Sequence, residues 1–220
     1  MKRKIVTTAD GSTTIYLEGW DEHYHSKHGA IQEAYHVFIK NGLSLFNRGP
    51  ISILEMGYGT ALNALITFME AEKAGVNVHY TGVEAHPILP EELEQLNYIT
   101  ELKAEKLLSV FEKMHKCPWE RDYGISNNFV LHKKQIHFLD IDSQALFDLV
   151  YFDAFGARVQ PELWTEAMFK KMFRSLKKDG ILVTYAAKGS VRRAMQSVGF
   201  LVERLPGPPG KREMLRARKP

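Results

Sequence analysis

Apolar and polar positions change their period several times along the chain, and each change marks an element. Lys4 to Thr8, a turn at Asp10-Gly11 and the alternation from Thr13 to Glu18 predict a β-hairpin. A polar stretch from Asp21 to Gly29 leads into helical spacing from Ala30 to about Lys40. After Gly49-Pro50, the run Ile51-Ser52-Ile53-Leu54-Glu55-Met56 is too short and too β-branched for a helix and predicts a buried strand. Gly57 and Gly59 follow at once. Ala61 to Ala74 is spaced as a helix ending at Gly75, and Asn77 to Glu84 reads as a second strand. Strand, glycine turn, helix and strand make a βαβ unit.

From Pro87 to about Trp119 the pattern is charged and helical, with a broken stripe through Leu93, Leu96, Leu102, Phe111 and Met114. This predicts a helical insertion. Strands are then expected at Ile136 to Leu139, Phe147 to Phe152 and Gly180 to Tyr185, with a helix around Glu166 to Leu176. Strands interleaved with helices predict a mostly parallel α/β sheet with right-handed crossovers. Ligands bind beyond the carboxyl ends of the strands in such sheets.

With 220 residues and 45% apolar composition, one domain over 1–220 is expected, with the hairpin and first helix in 1–48 and the insertion in 87–125. No apolar stretch approaches the roughly 18 residues of a membrane span, and no signal-peptide core follows the basic start. A cytoplasmic location without a membrane partner is expected. Cys117, the only cysteine, excludes an intrachain disulfide and a thiolate metal cluster. His23, His25 and His28 lack the paired spacing of a metal site, so no metal is expected. The net charge of +3 hides an asymmetry: from Lys170 onward there are fourteen basic residues against three acidic ones. Such a cluster suits a polyanionic partner, and equally a solvated surface with a basic tail.

Gly57 and Gly59 let the backbone turn sharply and approach a ligand, and Thr60 is placed to cap the next helix. A dinucleotide fingerprint needs a third glycine where Leu62 stands. Glu55 beside the turn repels phosphates and suits a cationic ligand, such as a sulfonium with an ammonium group. Glu84 ends the second strand, where an acid accepts both hydrogen bonds of a ribose diol. Asp140 is placed to receive an adenine amino group. Asp153, beside Phe155 and Trp164, is placed to orient or deprotonate a nucleophile; alternatively it starts a turn and Trp164 is core.

Five blocks carry a resemblance: Glu55 to Asn63, the acid Glu84, Asp153-Ala154-Phe155 with Pro161 to Thr165, Lys188 to Ala194, and Gly207-Pro208-Pro209-Gly210-Lys211-Arg212-Glu213-Met214. With the opening block around Gly29 and Glu33, they make the chain resemble the MnmD and MnmC amino-terminal methyltransferases, although that family has glycine where Ala61 and Ala154 stand. The resemblance implies a Rossmann-like class I fold dependent on S-adenosyl-L-methionine, held by Glu55, Gly57, Gly59, Thr60, Asn63, Glu84, Asp140 and Asp153. It implies N-methylation of 5-aminomethyl-(2-thio)uridine at the tRNA wobble position, with Asp153 as the catalytic residue. Phe155, Trp164 and Tyr185 would stack the flipped base, and Lys188, Arg192, Arg193, Lys211 and Arg212 would hold anticodon phosphates. The flavin-dependent oxidase fused to this unit in MnmC has no room in 220 residues, so separate enzymes are expected to install the aminomethyl group. Other readings are methylation of another RNA or amine, a nicotinamide-dependent oxidoreductase, and a noncatalytic RNA-binding module.

Overall fold

The computed structural model describes residues 2–46 and 49–220. The expected hairpin is β1 (Arg3–Thr7) with β2 (Thr13–Leu17), extended by a third strand that the pattern did not announce, β3 (Glu22–His23). The first helix begins as α1 (Ala30–Ala34) and widens into a π-helical turn over Tyr35–Lys40.

The main sheet contains β4 (Pro50–Met56), β5 (Asn77–Val83), β6 (Asp122–Gly124), β7 (Phe129–Lys134), β8 (Phe147–Phe152), β9 (Leu176–Thr184), β10 (Leu201–Pro206) and β11 (Glu213–Arg218). Their spatial order is β10-β11-β9-β8-β4-β5-β7-β6. The five central strands, β9, β8, β4, β5 and β7, run parallel, and β6 and β11 pair antiparallel at either side. Near-continuous burial of β4 and β8 explains their unalternating apolar runs, because both sheet faces are covered. One cover is α2 (Leu62–Ala74), whose end is capped by Gly75 in the left-handed conformation at φ 64.

Two expectations need correction. The third parallel strand is β7, not Ile136 to Leu139, and Phe138–Asp140 forms a 3-10 turn instead. Along β7 the inward positions are Phe129, Leu131 and Lys133. Lys133 is only 1% exposed; its Nζ donates to the His115 carbonyl at 2.6 Å and lies 4.6 Å from the Trp119 ring centroid. A lysine at a core position hides the alternation. The insertion is likewise several short helices, α3 (Pro90–Leu93), α4 (Tyr98–Glu101) and α5 (Leu108–Lys116). No described helix is long and apolar enough to cross a membrane.

At the carboxyl-terminal end, α6 (Glu166–Ser175) starts at Thr165, whose hydroxyl accepts from Met168 N. Next comes α7 (Gly189–Ser197), then the β10–β11 hairpin. Cross-strand pairs Arg216–Glu203 and Arg204–Glu213, with Arg218–Asp179, take up much of the basic tail. Such exposed pairs contribute roughly 0–1 kcal/mol each.

The small sheet is fastened across the carboxyl ends of the central strands. At one side Arg3 donates to the His86 and Pro87 carbonyls and pairs with Glu92 at 2.9 Å. At the other, Arg158 donates to the Trp20 and Asp21 carbonyls and pairs with Glu22 at 3.0 Å. The sheet therefore roofs the crevice where ligands bind in this architecture.

A Cβ on Gly82 of β5 would overlap the ring of Tyr58, whose hydroxyl donates to the Met114 carbonyl at 3.1 Å. Gly82→Ala is expected to cost about 1–3 kcal/mol by overpacking, read as a lower urea midpoint. An unchanged midpoint would show that Tyr58 repacks freely.

Candidate active site

A cavity of about 990 Å³ opens where the ends of β4, β5 and β8 meet beneath the small sheet. Its floor is set by backbone. Gly57 has φ +105, and a Cβ there would lie 2.6 Å from the Asp153 carbonyl oxygen, so both conformation and contact require glycine. Gly57 N and Tyr58 N donate to the Val83 carbonyl, and Asp153 N donates to that of Met56, which ties the three strand ends together.

Gly59 N donates to Glu84 Oε2 at 3.1 Å, and His86 N donates to Glu84 Oε1 at 2.8 Å. Each oxygen of Glu84 thus keeps a lone pair for a ligand in the cavity it lines. In the first turn of α2, Asn63 Nδ2 donates to Glu55 Oε1 at 2.8 Å and to Asp153 Oδ2 at 2.9 Å. Two acceptors fix the amide orientation. Asn63 Oδ1 is then a buried acceptor without a partner among the described residues, at the wall of the cavity.

Several expected roles change. Glu55 is buried beneath the glycine loop and does not line the cavity, because Asn63 stands between them. Burial pushes its carboxyl well above the ordinary glutamate range, with Asp153 and Glu84 adding to the rise and Asn63 opposing it. A carboxyl off the cavity, with its anionic form disfavoured by burial, is not the ligand for a sulfonium. Thr60 lines the cavity but caps no helix: Ala61 takes the cap position at φ 59, and the Thr60 hydroxyl accepts from Tyr98 at 3.0 Å. Asp140 is exposed and outside the cavity, since the strand stops at Lys134; Gln135, His137, Phe138 and Leu139 line that end instead.

Asp153 lines the cavity next to the glycine turn and is bonded to Asn63. Burial, then the negative charge of Glu33, push its carboxyl up to about 7, against the pull of Asn63 and Lys211. Beyond it Phe155 meets Trp20 edge-on at 5.6 Å and Tyr24 at 5.1 Å, and all three line the cavity. The sequence pattern did not single out Trp20 and Tyr24, whose only signal was an aromatic on each side of Asp21-Glu22-His23. Trp164 is core at 6% exposure; its Nε1 donates to the Phe155 carbonyl at 2.8 Å and steadies that turn. Tyr185 also stands behind the turn and outside the cavity, its hydroxyl donating to the Ala154 carbonyl at 2.9 Å.

Of the expected phosphate ligands, Lys188, Arg193 and Arg212 are exposed and Arg192 is half-buried. Lys211 is not a surface cation: its Nζ pairs with buried Glu33 and lies 3.9 Å from the Tyr185 ring centroid. His25 has its Nδ1 3.0 Å from the Thr14 hydroxyl and its Nε2 3.4 Å from that of Thr60, and burial lowers its pKa to about 4. Among the described residues, no group of three or more His, Cys, Asp or Glu is placed to hold a metal.

The S-adenosyl-L-methionine-dependent methyltransferase family profile matches residues 94–220, more than half of the chain. The chain belongs to this family. As a methyltransferase it takes S-adenosyl-L-methionine as cofactor, which removes the oxidoreductase reading. The methyltransferase is 29% identical over 221 residues to the tRNA 5-methylaminomethyl-2-thiouridine biosynthesis bifunctional protein MnmC of Leptospira interrogans, covering 94% of this chain and 34% of that one. It is 31% identical over 229 residues to the protein of the same name from Aromatoleum aromaticum, covering 98% and 35%. The chain thus spans about a third of the length of the curated relatives it matches. The solved structure of MNMC2 from Aquifex aeolicus superposes with a TM-score of 0.77 at 25% identity, covering 98% of this chain and 70% of that one. Spermidine synthase from Thermotoga maritima shares the fold, with a TM-score of 0.58 at 13% identity, covering 99% and 68%. The expected fold class and the resemblance to the MnmC methyltransferases are borne out.

Glu55 supplies a test. Its folded pKa is raised, so the stability it contributes is present below its unfolded pKa, near 4.5, and is lost as pH rises above that value. Glu55→Gln keeps an oxygen for Asn63 and removes this loss. The melting temperature of Glu55→Gln relative to wild type should rise between pH 5 and pH 8, by about 2–4 °C for each kcal/mol in a domain of this size. A constant gap would mean that Glu55 ionises as freely in the folded protein as in the unfolded one.

Proposed function

We propose that this methyltransferase acts on the primary amine of 5-aminomethyl-(2-thio)uridine at the tRNA wobble position, with Asp153 as the catalytic residue. One observation carries the reading. A carboxylate whose pKa lies near 7 separates a wall of ligand acceptors, Asn63 and Glu84, from a wall of aromatic rings, Phe155, Trp20 and Tyr24. Donor side and acceptor side meet at one ionisable group. The curated relatives, named for biosynthesis of 5-methylaminomethyl-2-thiouridine in tRNA, support this choice of acceptor.

The residues fit the cofactor. Asn63 Oδ1 would accept from its ammonium, the two oxygens of Glu84 would accept from the ribose hydroxyls, and the side-chain-free turn at Gly57 and Gly59, with Thr60 beside it, would admit it close to the backbone. Gln135, His137, Phe138 and Leu139 form the wall for its adenine. When bound, S-adenosyl-L-methionine supplies an electrophilic methyl carbon for in-line displacement by an amine.

The protein has to deliver that amine uncharged, because a free alkylamine, like lysine, has a pKa of about 10.4. Asp153 binds the ammonium form, takes its proton, and orients the nitrogen lone pair. Phe155, Trp20 and Tyr24 stack the base and exclude water that would keep the amine protonated. Alignment in one site supplies on the order of 7–11 kcal/mol of such a reaction's barrier. Lys188, Arg192, Arg193 and Arg212 would meet the anticodon phosphates.

Incubation of hypomodified tRNA with enzyme and cofactor, followed by mass spectrometry of the wobble nucleosides, should show conversion of the aminomethyl nucleoside to its methylated form. Asp153→Asn should lower kcat about 10²–10⁴-fold and leave tRNA affinity within a few fold. An unconverted aminomethyl nucleoside with the wild-type enzyme would overturn the substrate assignment. A fully active Asp153→Asn would overturn the role of Asp153.

A further inference from the structure

We propose that the Lys211–Glu33 pair is a positioning element for Asp153: it sets how readily that residue carries its negative charge, so the basic block at Gly207 to Met214 serves the reaction through Lys211. The inference rests on the methyl-transfer reading above, in which Asp153 is the proton acceptor.

The loop between β10 and β11 is shaped to deliver this lysine. Gly207 N donates to the Arg212 carbonyl at 3.1 Å and Lys211 N donates to the Pro208 carbonyl at 2.9 Å, closing a tight turn. Gly210 has φ +82 and packs where any side chain would overlap the His28 ring. His36 Nε2 lies 2.8 Å from the Pro206 carbonyl. The turn is thus moulded onto the segment around α1, which carries Glu33. Glu33 is itself held, its Oε2 accepting from Ser26 N at 2.9 Å while its Oε1 takes the Lys211 ammonium. The ring beneath that ammonium is Tyr185, which bonds to the carbonyl of Ala154, the residue following Asp153.

Asn63 bonds to Asp153, and four further groups lie near enough to act on its charge or be acted on by it. Glu33 comes from α1, Asn63 from α2, Glu55 from the end of β4, Tyr185 from beyond β9, and Lys211 from the hairpin loop. Burial disfavours the charged forms of Tyr185 and Glu55. Glu33 and Lys211 are therefore the charges of opposite sign left to act on Asp153: Glu33 raises its pKa and Lys211 lowers it. A lysine placed here for tRNA phosphates would need an ammonium without an internal carboxylate partner, whereas that of Lys211 is paired with buried Glu33.

The test is a ¹³C NMR titration of the Asp153 carboxyl in the full chain without RNA, assigned by its loss in Asp153→Asn. Lys211→Met should move the midpoint to higher pH and Glu33→Gln to lower pH, each by about one unit or more, as expected on removing a close charge. The double variant should return toward wild type. With aminomethyl tRNA as substrate, the acid limb of kcat/KM should move in the same directions, Lys211→Arg should restore the wild-type profile, and tRNA affinity of Lys211→Met should stay within about twofold while Arg193→Ala weakens it. The titration needs no turnover, so it stands even where the choice of acceptor fails. If Lys211→Met does not fold, Glu33→Gln decides alone. An Asp153 midpoint unmoved in the folded variants would overturn the proposal, as would loss of tRNA affinity in Lys211→Met matching that of Arg193→Ala.

Discussion

The site depends on one close approach, the Cα of Gly57 against the carbonyl of Asp153. Their strands are parallel neighbours, with Met56 registered on Phe152, so the two chains leave the sheet side by side. Any side chain at Gly57 would push them apart. The helix after one loop runs away along one face and the chain after the other passes to its own helix, which is the switch point where open parallel sheets form a crevice. Gly57 removes the wall between the two halves of that crevice. Asn63 on one chain then reaches Asp153 on the other at 2.9 Å.

That proximity creates an electrostatic problem. Glu55, Asp153 and Glu33 bring three carboxyl groups into one interior, where Glu33 raises the pKa of Asp153 and Asp153 raises that of Glu55. Each is handled differently. Glu55 is deprived of water and held as a neutral acid against Asn63. Glu33 meets Lys211. Asp153 alone keeps access to the cavity, and it is the carboxyl whose pKa comes to lie near 7. The proposed reaction, which moves one proton per turnover, would need one adjustable charge.

Continuous burial and helix capping leave marks that are legible in the sequence. The runs ending at Met56 and Phe152 and the helix ending at Gly75 lie where their pattern places them. Elements whose core positions carry charge are concealed. Lys133 breaks the alternation of β7 and shifts the expected strand end, so the pattern assigns Asp140 a ligand that it does not face. Spacing also located Glu55 without giving its direction, and in a strand that single fact separates the cavity from the core. Trp20 and Tyr24 reach Phe155 across more than a hundred residues because Arg3 and Arg158 fasten the small sheet over the crevice, a tertiary fact without a local signature.

Charge counting was least informative where the charges were most numerous. Among the fourteen basic residues from Lys170 onward, Arg174, Lys177, Arg204, Lys211, Arg216 and Arg218 have acidic partners. Some bind strands together, and one reaches the interior. Arg193 extends back to Gly189 at the start of α7, beside Lys188, on the chain that leaves the carboxyl end of β9. A phosphate held there would lie at the same edge of the sheet as the cavity. Salt dependence of tRNA binding counts phosphates contacted, not lysines and arginines in a sequence. A few exposed cations at that edge are therefore enough to orient a polyanion, while Lys211 is paired with the carboxylate of buried Glu33.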